Sequence, residues 1–322
     1  MDKMWNQYPD IKKQLKQVLK IIEDNSRCKD KVIENSILEL VNSGGKMLRP
    51  AFVIIASKWG KNDDIGKTNS LASVVEMMHM ATLVHDDIID DSKMRRGQET
   101  IQSKYGKDYA VYIGDYLFCA CFKVLASEGS LQSIKVDSKS MSRICLGEIN
   151  QMNSKFSNKI SIKEYLSRIS GKTAELFSLS FYIGAAESGC SEKLSREFWN
   201  IGHDVGMAFQ IIDDILDYVG TDESIKKSAG NDIKQGIFTL PFLYAVKENR
   251  KAFEEYFDKS HYDEEDIKSI IDLVRKNDGV EKSKALALKY SQKAFKRIER
   301  LPDNTFKDIL REVIEKLLYR NY

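Results

Sequence analysis

Two long apolar runs, each closed by the same arrangement of aspartates, constrain this chain more than any other feature. One run, residues 71–84, leads into Asp86-Asp87-Ile88-Ile89-Asp90; the other, beginning near Gly206, leads into Asp213-Asp214-Ile215-Leu216-Asp217. Positions 71, 72, 74, 75, 77, 78, 80, 81, 83 and 84 are all apolar. A helix apolar on nearly every side has to be buried. In the second run Gly206 and Ala208 are small enough for close helix contacts. Residues four apart share a helix face, so Asp86 is expected beside Asp90 and Asp213 beside Asp217. Carboxylates grouped in this way repel one another unless a cation sits between them. They also fall late in their helices, where the macrodipole disfavours negative charge. A single cluster would be read as a solvated acidic face. Two copies at the ends of buried helices predict a charged cavity, and hard oxygen donors that leave coordination positions open suit Mg²⁺ with a diphosphate.

The rest of the chain points to helix. Among 322 residues there are only four prolines, Pro9, Pro50, Pro241 and Pro302, and Leu, Ile, Lys and Glu favour helix throughout. No strand-like alternation is sustained long enough to build a sheet. With no linker-like segment, the expectation is one all-α domain over residues 1–322, large enough for an extensive core. Formal net charge is +2, from 50 basic and 48 acidic residues, so bulk electrostatics do not point to nucleic acid. The segment Met1-Asp2-Lys3-Met4-Trp5 lacks the apolar core of a signal peptide. The two apolar runs are too short and interrupted to cross a bilayer. Five cysteines (28, 119, 121, 145 and 190) show no CxxC spacing; they are expected as free thiols filling the core of a cytoplasmic protein.

Helices are expected over residues 9–22, 31–41, 109–126, 138–152 and 162–186. Gly44-Gly45 ends the second, and Pro50 suits the first turn of the next, which leaves Lys46 and Arg49 at a helix junction. After the first aspartate cluster the helix should stop near Ser92, because Arg95-Arg96-Gly97 has loop character. Adjacent arginines there are placed for a polyanion, since Arg grips phosphate with forked hydrogen bonds. Gly171-Lys172-Thr173 sets a cation and a hydroxyl inside an apolar helix. Glu148 and Gln151 are polar residues within one turn of each other, on a helix otherwise expected in the core. A lysine-rich loop, residues 226–236, follows the second cluster. The last third shows amphipathic helices without a catalytic constellation.

Taken in order, these segments resemble the trans-isoprenyl diphosphate synthases. The resemblance rests on Gly44-Gly45-Lys46-Met47-Leu48-Arg49-Pro50, on His79 through Asp91 with Arg95-Arg96-Gly97, and on Gly171-Lys172-Thr173. It continues through Phe209-Gln210 and the second aspartate cluster to Ala229-Gly230-Asn231-Asp232. It implies a bundle of antiparallel helices around a deep central cavity, usually dimeric. All six aspartates, Asp86, Asp87, Asp90, Asp213, Asp214 and Asp217, become candidate metal residues for about three Mg²⁺ ions, with Asp86, Asp90 and Asp213 the expected ligands. By the same resemblance Arg95 holds the allylic diphosphate, and Lys46, Arg49, His79 and Arg96 match the pocket for isopentenyl diphosphate. Lys172, Thr173 and Gln210 match the residues bordering the reacting carbons, and Lys227 and Asp232 the loop that closes the site.

Within the family the stretch from His79 to Asp87 looks most like medium- and long-chain members, especially the catalytic subunit of heptaprenyl diphosphate synthase. That subunit works with a smaller partner lacking the aspartate motifs, so a homodimer and such a heterodimer are both expected assemblies. A product growing down the first helix gains ~5.4 Å of depth per turn. Ala81 and Thr82, five and four positions before Asp86, are small, and Met77 and Met78 are flexible. The expected product is therefore a membrane-seeking polyprenyl diphosphate, with a farnesyl or geranylgeranyl product as the shorter alternative. The chain departs from the family pattern at Glu99 and Ser228, where proline is frequent, and at Ile237, where a second loop lysine is frequent. A class I terpene cyclase would need only one diphosphate site, and a non-catalytic subunit would be expected to have lost one aspartate cluster.

Overall fold

Helix formation follows local rules in the computed structural model, which describes residues 2–157, 159–219 and 230–319. A short 3₁₀ turn, Lys3–Gln7, leads into α1 (Pro9–Asn25), whose first residue is proline. α2 (Lys31–Asn42) is capped by Asp30, whose carboxylate accepts from the amides of Val32 and Ile33. α3 (Leu48–Ser57) follows a left-handed Met47. α4 (Ile65–Ile89) starts where the Asp64 side chain accepts from Lys67 N. It stops at Asp90, beyond which Asp91 turns left-handed with φ 48°. The helix thus ends a few residues before Ser92, the expected stop.

A two-residue hairpin, β1 (Met94–Arg95) paired antiparallel with β2 (Gln98–Glu99), occupies the expected Arg95-Arg96-Gly97 loop. Sequence periodicity does not reveal so short a pair. α5 (Ile101–Tyr105), α6 (Lys107–Glu128) and α7 (Leu131–Asn153) come next. The helix expected over 162–186 is divided: α8 (Ile162–Ile169), a π-helical turn at Ser170–Ala174, then α9 (Glu175–Glu187). α10 (Glu192–Val219) carries the second aspartate cluster. The remaining described helices are α11 (Asn231–Lys234), α12 (Leu240–Glu248), α13 (Glu264–Lys276), α14 (Gly279–Glu299) and α15 (Phe306–Leu318), with a 3₁₀ turn at Arg250–Tyr256. The fold class is all-α, as expected.

Contacts divide the chain into two compact units. The first comprises Met1–Ser138 and Leu179–Trp199, the second Lys139–Ser178 and Asn200–Tyr322. In the first unit α4 lies along α6, with α1 and α3 also against it. Leu71, Ala72, Val74, Val75, Met77, Met78 and Ala81 of α4 are at most 1% exposed. Each of the valine, leucine and methionine side chains contributes roughly 1.5–3 kcal/mol by burial, which overrides the modest helix propensity of valine. Aromatic rings fill the remaining space: Phe52 stacks on Phe181 at 4.5 Å and Trp59 meets Phe198 edge-on at 5.2 Å. In the second unit Phe238 stacks on Phe242 at 4.2 Å, and α12 packs against α13 and α14. There Gly206 does what its size suggests, since a Cβ on it would stand 2.6 Å from the Ala174 Cα.

Two expectations need correction. All five cysteines are free, but only Cys121 is buried, because Cys119 and Cys121 lie on opposite sides of α6. α7 is not the core helix expected around Glu148 and Gln151, for Leu146, Ile149 and Met152 are exposed. One feature was not expected: α6 is long and apolar enough by length and composition to cross a membrane, with 44% of its most apolar window buried.

Candidate active site

In the first unit, α4 presents one half-open face. His79, Thr82, Leu83, Asp86 and Asp90 fall along it at spacings of three and four residues and are each partly exposed. Asp87 lies about 100° further round, on the side of buried Met80 and Val84, and is 5% exposed. Its carboxylate accepts from Arg95 through Nε at 2.9 and 3.0 Å and through Nη2 at 2.8 Å. This is the forked geometry in which Arg–carboxylate pairs are strongest. Asp87 therefore neutralises Arg95 and fixes the hairpin to the helix, while Asp86 and Asp90 remain on the open side.

A pocket beside this face is lined by Gly44, Gly45, Met47, Glu76, His79, Arg95 and Arg96, among others. Arg96 sits in a left-handed conformation, φ 52°, and its Nη1 donates to the Gly44 carbonyl. Non-glycine residues in that region carry of order 1–3 kcal/mol of strain; the carbonyl contact holds the guanidinium against it. Arg49 Nη1 approaches His79 Nε2 at 3.3 Å. Burial, then the charges of Arg49, Arg96 and Arg95, hold the His79 imidazole well below its ordinary pKa, so at neutral pH it is an uncharged ring. Burial brings Arg49 down to about 10, with Glu76 opposing the shift, and it stays cationic. Glu76, one turn before His79, is raised by burial and lowered by Arg49 and Arg96. Lys46, between pocket-lining Gly45 and Met47, is exposed. The cluster is a prepared anion site, ~10 Å along the helix from Asp86 for seven residues at 1.5 Å each.

The second unit treats its aspartate cluster differently. Asp214 is 4% exposed, and its carboxylate accepts from two neutral donors: Tyr165 OH donates to Oδ2 at 2.5 Å and Gln210 Nε2 to Oδ1 at 2.7 Å. Burial pushes its pKa up to about 7, with the two donors opposing. The chain of bonds continues, because Thr173 Oγ1 donates to Gln210 Oε1 at 2.7 Å. Lys172 Nζ pairs with Glu148 at 2.8 Å. The π turn presents Lys172 and Thr173, and π turns are frequent at functional sites. It presses against α7 so closely that a Cβ on Gly147 would stand 2.7 Å from Lys172 N. Asp213 is exposed, while Asp217 is half-buried and caps α11, accepting from Asn231 N at 3.2 Å and Asp232 N at 3.1 Å. Ile237, at the position of the frequent second loop lysine, is 7% exposed. Lys227 and Ser228 lie outside the described residues.

Among the described residues no group of three or more His, Cys, Asp or Glu side chains stands close enough to hold a metal alone. The donor chemistry in each unit nevertheless suits a hard cation: partly open carboxylates at Asp86 and Asp90 in the first, with Asp87 turned inward, and exposed Asp213 in the second, with Asp214 turned inward. Sequence reasoning grouped all six aspartates and missed Tyr165 and Glu76. The signal for the inward pair was present, since Asp87 follows Met80 and Val84, and Asp214 follows Met207 and Ile211, at seven and three residues.

An all-α fold with these two aspartate clusters and a separate Arg–His anion pocket defines a prenyltransferase acting on diphosphates. The polyprenyl synthetase family model matches residues 30–274, and the chain belongs to that family. It is 38% identical over 285 residues to heptaprenyl diphosphate synthase component 2 of Geobacillus stearothermophilus, covering 88% of this chain and 89% of that protein. Heptaprenyl diphosphate synthase from Staphylococcus aureus superposes with a TM-score of 0.92 at 35% identity, covering 97% of this chain and 99% of that one. Geranylgeranyl pyrophosphate synthase from Lactobacillus brevis ATCC 367 gives 0.93 at 35% identity, covering 99% of each.

Proposed function

We propose that the chain condenses isopentenyl diphosphate head-to-tail with an allylic diphosphate, making an all-trans polyprenyl diphosphate of the hexaprenyl–heptaprenyl class. The observation that carries this reading is the second anion pocket. Arg49 of α3, His79 of α4 and Arg96 of the hairpin gather beside the helix that bears Asp86 and Asp90, so two diphosphates have separate places. A cyclase needs one.

The reading assigns Asp86, Asp90 and Asp213 as metal ligands and Asp87 and Asp214 as positioning residues. About three Mg²⁺ ions bound there supply charge neutralisation for the departing diphosphate. Arg95 adds a guanidinium whose direction Asp87 fixes, and Asp232 is assigned to a segment that closes the site. Lys46, Arg49 and Arg96 clamp isopentenyl diphosphate. Neutral His79 donates a hydrogen bond without adding another charge beside the arginines. Thr173 and Gln210 turn oxygen atoms toward an allylic cation, and Gln210 is held in that rotamer by Asp214. The final proton goes to the released pyrophosphate, so no side-chain base is required. Both units act as one catalytic domain over residues 1–322.

Chain length follows from the small Ala81 and Thr82 and from the relative in Geobacillus, whose name is that of a heptaprenyl synthase component. That name also supports a partner subunit. We assign the exposed side of α6, with Tyr109, Val111, Tyr112 and Phe122 between 39% and 69% exposed, to an interface with a second copy or with a small non-catalytic subunit. The enzyme works in the cytoplasm and delivers a membrane-seeking product.

The test is Arg49→Ala. It should raise KM for isopentenyl diphosphate at least about tenfold, the scale of one charged hydrogen bond, while calorimetric binding of farnesyl diphosphate with Mg²⁺ is unchanged. Equal loss of both substrates would remove the two-pocket reading.

A further inference from the structure

The loop between α2 and α3 makes little use of its own backbone. Three successive carbonyls, those of Gly44, Gly45 and Lys46, accept from groups elsewhere in the chain. Arg96 Nη1 donates to the first, Asp2 N donates to the second at 3.2 Å, and the Trp5 indole Nε1 donates to the third at 2.7 Å. Gly44 and Met47 are both left-handed, with φ 76° and 51°, so the segment turns sharply at each end. Trp5 is 0% exposed and rests 6.3 Å from the Tyr8 ring. An indole N–H only donates, and when buried it requires an acceptor. Here that acceptor belongs to a residue whose own side chain is exposed. Asp2 stiffens the turn by accepting from Met4 N at 2.8 Å.

We propose that Trp5 is a positioning residue for isopentenyl diphosphate, acting through Lys46, and that the Asp2–Gln7 turn is a strap that sets the loop. Lys46 carries a long, flexible ammonium whose reach depends on its main chain. Fixing its carbonyl from behind sends the Lys46 side chain to one side of the loop, and the bond from Asp2 to Gly45 prevents rotation of the preceding peptide. The strap thus lowers the ordering cost of the cation before substrate arrives. This inference rests on the assignment of Lys46 to the isopentenyl diphosphate pocket.

The experiment is a kinetic double-mutant cycle on the full chain with Trp5→Phe, Lys46→Ala and both together. Trp5→Phe keeps the buried ring and removes the donor. It should raise KM for isopentenyl diphosphate about fivefold, the scale of one hydrogen bond, with KM for farnesyl diphosphate and kcat within about twofold. Lys46→Ala should raise the same KM further, and the double variant should be no worse than Lys46→Ala, because residues that act through one another are non-additive. Additive effects, or equal changes in both KM values, would overturn the proposal while leaving the pocket intact. An unchanged KM in Lys46→Ala would instead remove the assignment of Lys46, and the proposal with it. Should Trp5→Phe not fold, Asp2→Pro provides the same readout: φ at Asp2 is −63°, which proline accepts, and the donor to Gly45 is lost with the cap. A smaller rise confined to the isopentenyl diphosphate KM supports the strap, and no rise overturns it.

Discussion

The two aspartate clusters have the same sequence form and are built on opposite electrostatic principles. In the first, inward Asp87 meets a guanidinium, and the pair is charge-compensated. In the second, inward Asp214 meets a phenol and an amide, and burial raises its pKa to about 7. The proposed function accounts for the difference. Under it, Asp87 fixes a cationic hairpin that meets a polyanion, and Asp214 fixes the Gln210–Thr173 chain beside a developing allylic carbocation. A repeated motif does not imply a repeated role for each of its residues.

The largest effect should come from the outward residues. Asp86→Ala and Asp213→Ala should each abolish turnover with helicity by circular dichroism unchanged; near-normal turnover in either would break the assignment of ligands. Next comes depth. Ala81 and Ala208 each stand five residues before the first aspartate of a cluster and are both 0% exposed. Ala81→Phe should shorten the product by chromatography, whereas Ala208→Phe should cost about 1–3 kcal/mol by overpacking and leave product length unaltered. Matching product distributions in wild type and Ala81→Phe would defeat the depth argument.

The inward pair gives a smaller and sharper contrast. Asp87→Asn breaks a partly buried ion pair and should cost about 2 kcal/mol, read by chemical denaturation at pH 8. Asp214→Asn keeps a polar amide between Tyr165 and Gln210 and should stay within about 1 kcal/mol. Equal losses would mean that the two clusters are held alike. A further effect lies away from both. Burial raises Asp137 to about 7, and its Oδ1 is buried without a hydrogen-bond partner among the described residues. Because its folded pKa exceeds the unfolded value of about 3.9, the folded state binds the extra proton. Stability from this group is complete below about pH 4, falls as pH rises toward 7, and is flat above. Asp137→Asn should remove that slope and be the more stable chain at pH 8, by on the order of 3 kcal/mol. An unchanged slope would show that Asp137 does not carry it.

Much of this was legible in the sequence. The apolar runs, the glycine stop before Lys46 and the proline near the start of α3 fix helices by local rules, and helix spacing sets Asp86 beside Asp90. What was not legible depends on contacts between distant residues. The π turn at Lys172 and Thr173 lies where Gly147 of α7 comes within close reach of it, and no local pattern encodes that approach. Trp5 meets Lys46 across 41 positions. Tyr165, one apolar-looking residue among many, becomes notable only when its hydroxyl meets Asp214. Exposed Leu146, Ile149 and Met152 escaped notice because periodicity shows which side of a helix is apolar and not whether anything covers it.

The most direct test of the account is the product profile of the purified chain with Mg²⁺, farnesyl diphosphate and labelled isopentenyl diphosphate. The account predicts label in a ladder of all-trans diphosphates reaching the hexaprenyl or heptaprenyl length. Release of pyrophosphate from farnesyl diphosphate with no uptake of label, and a cyclised hydrocarbon in its place, would contradict it.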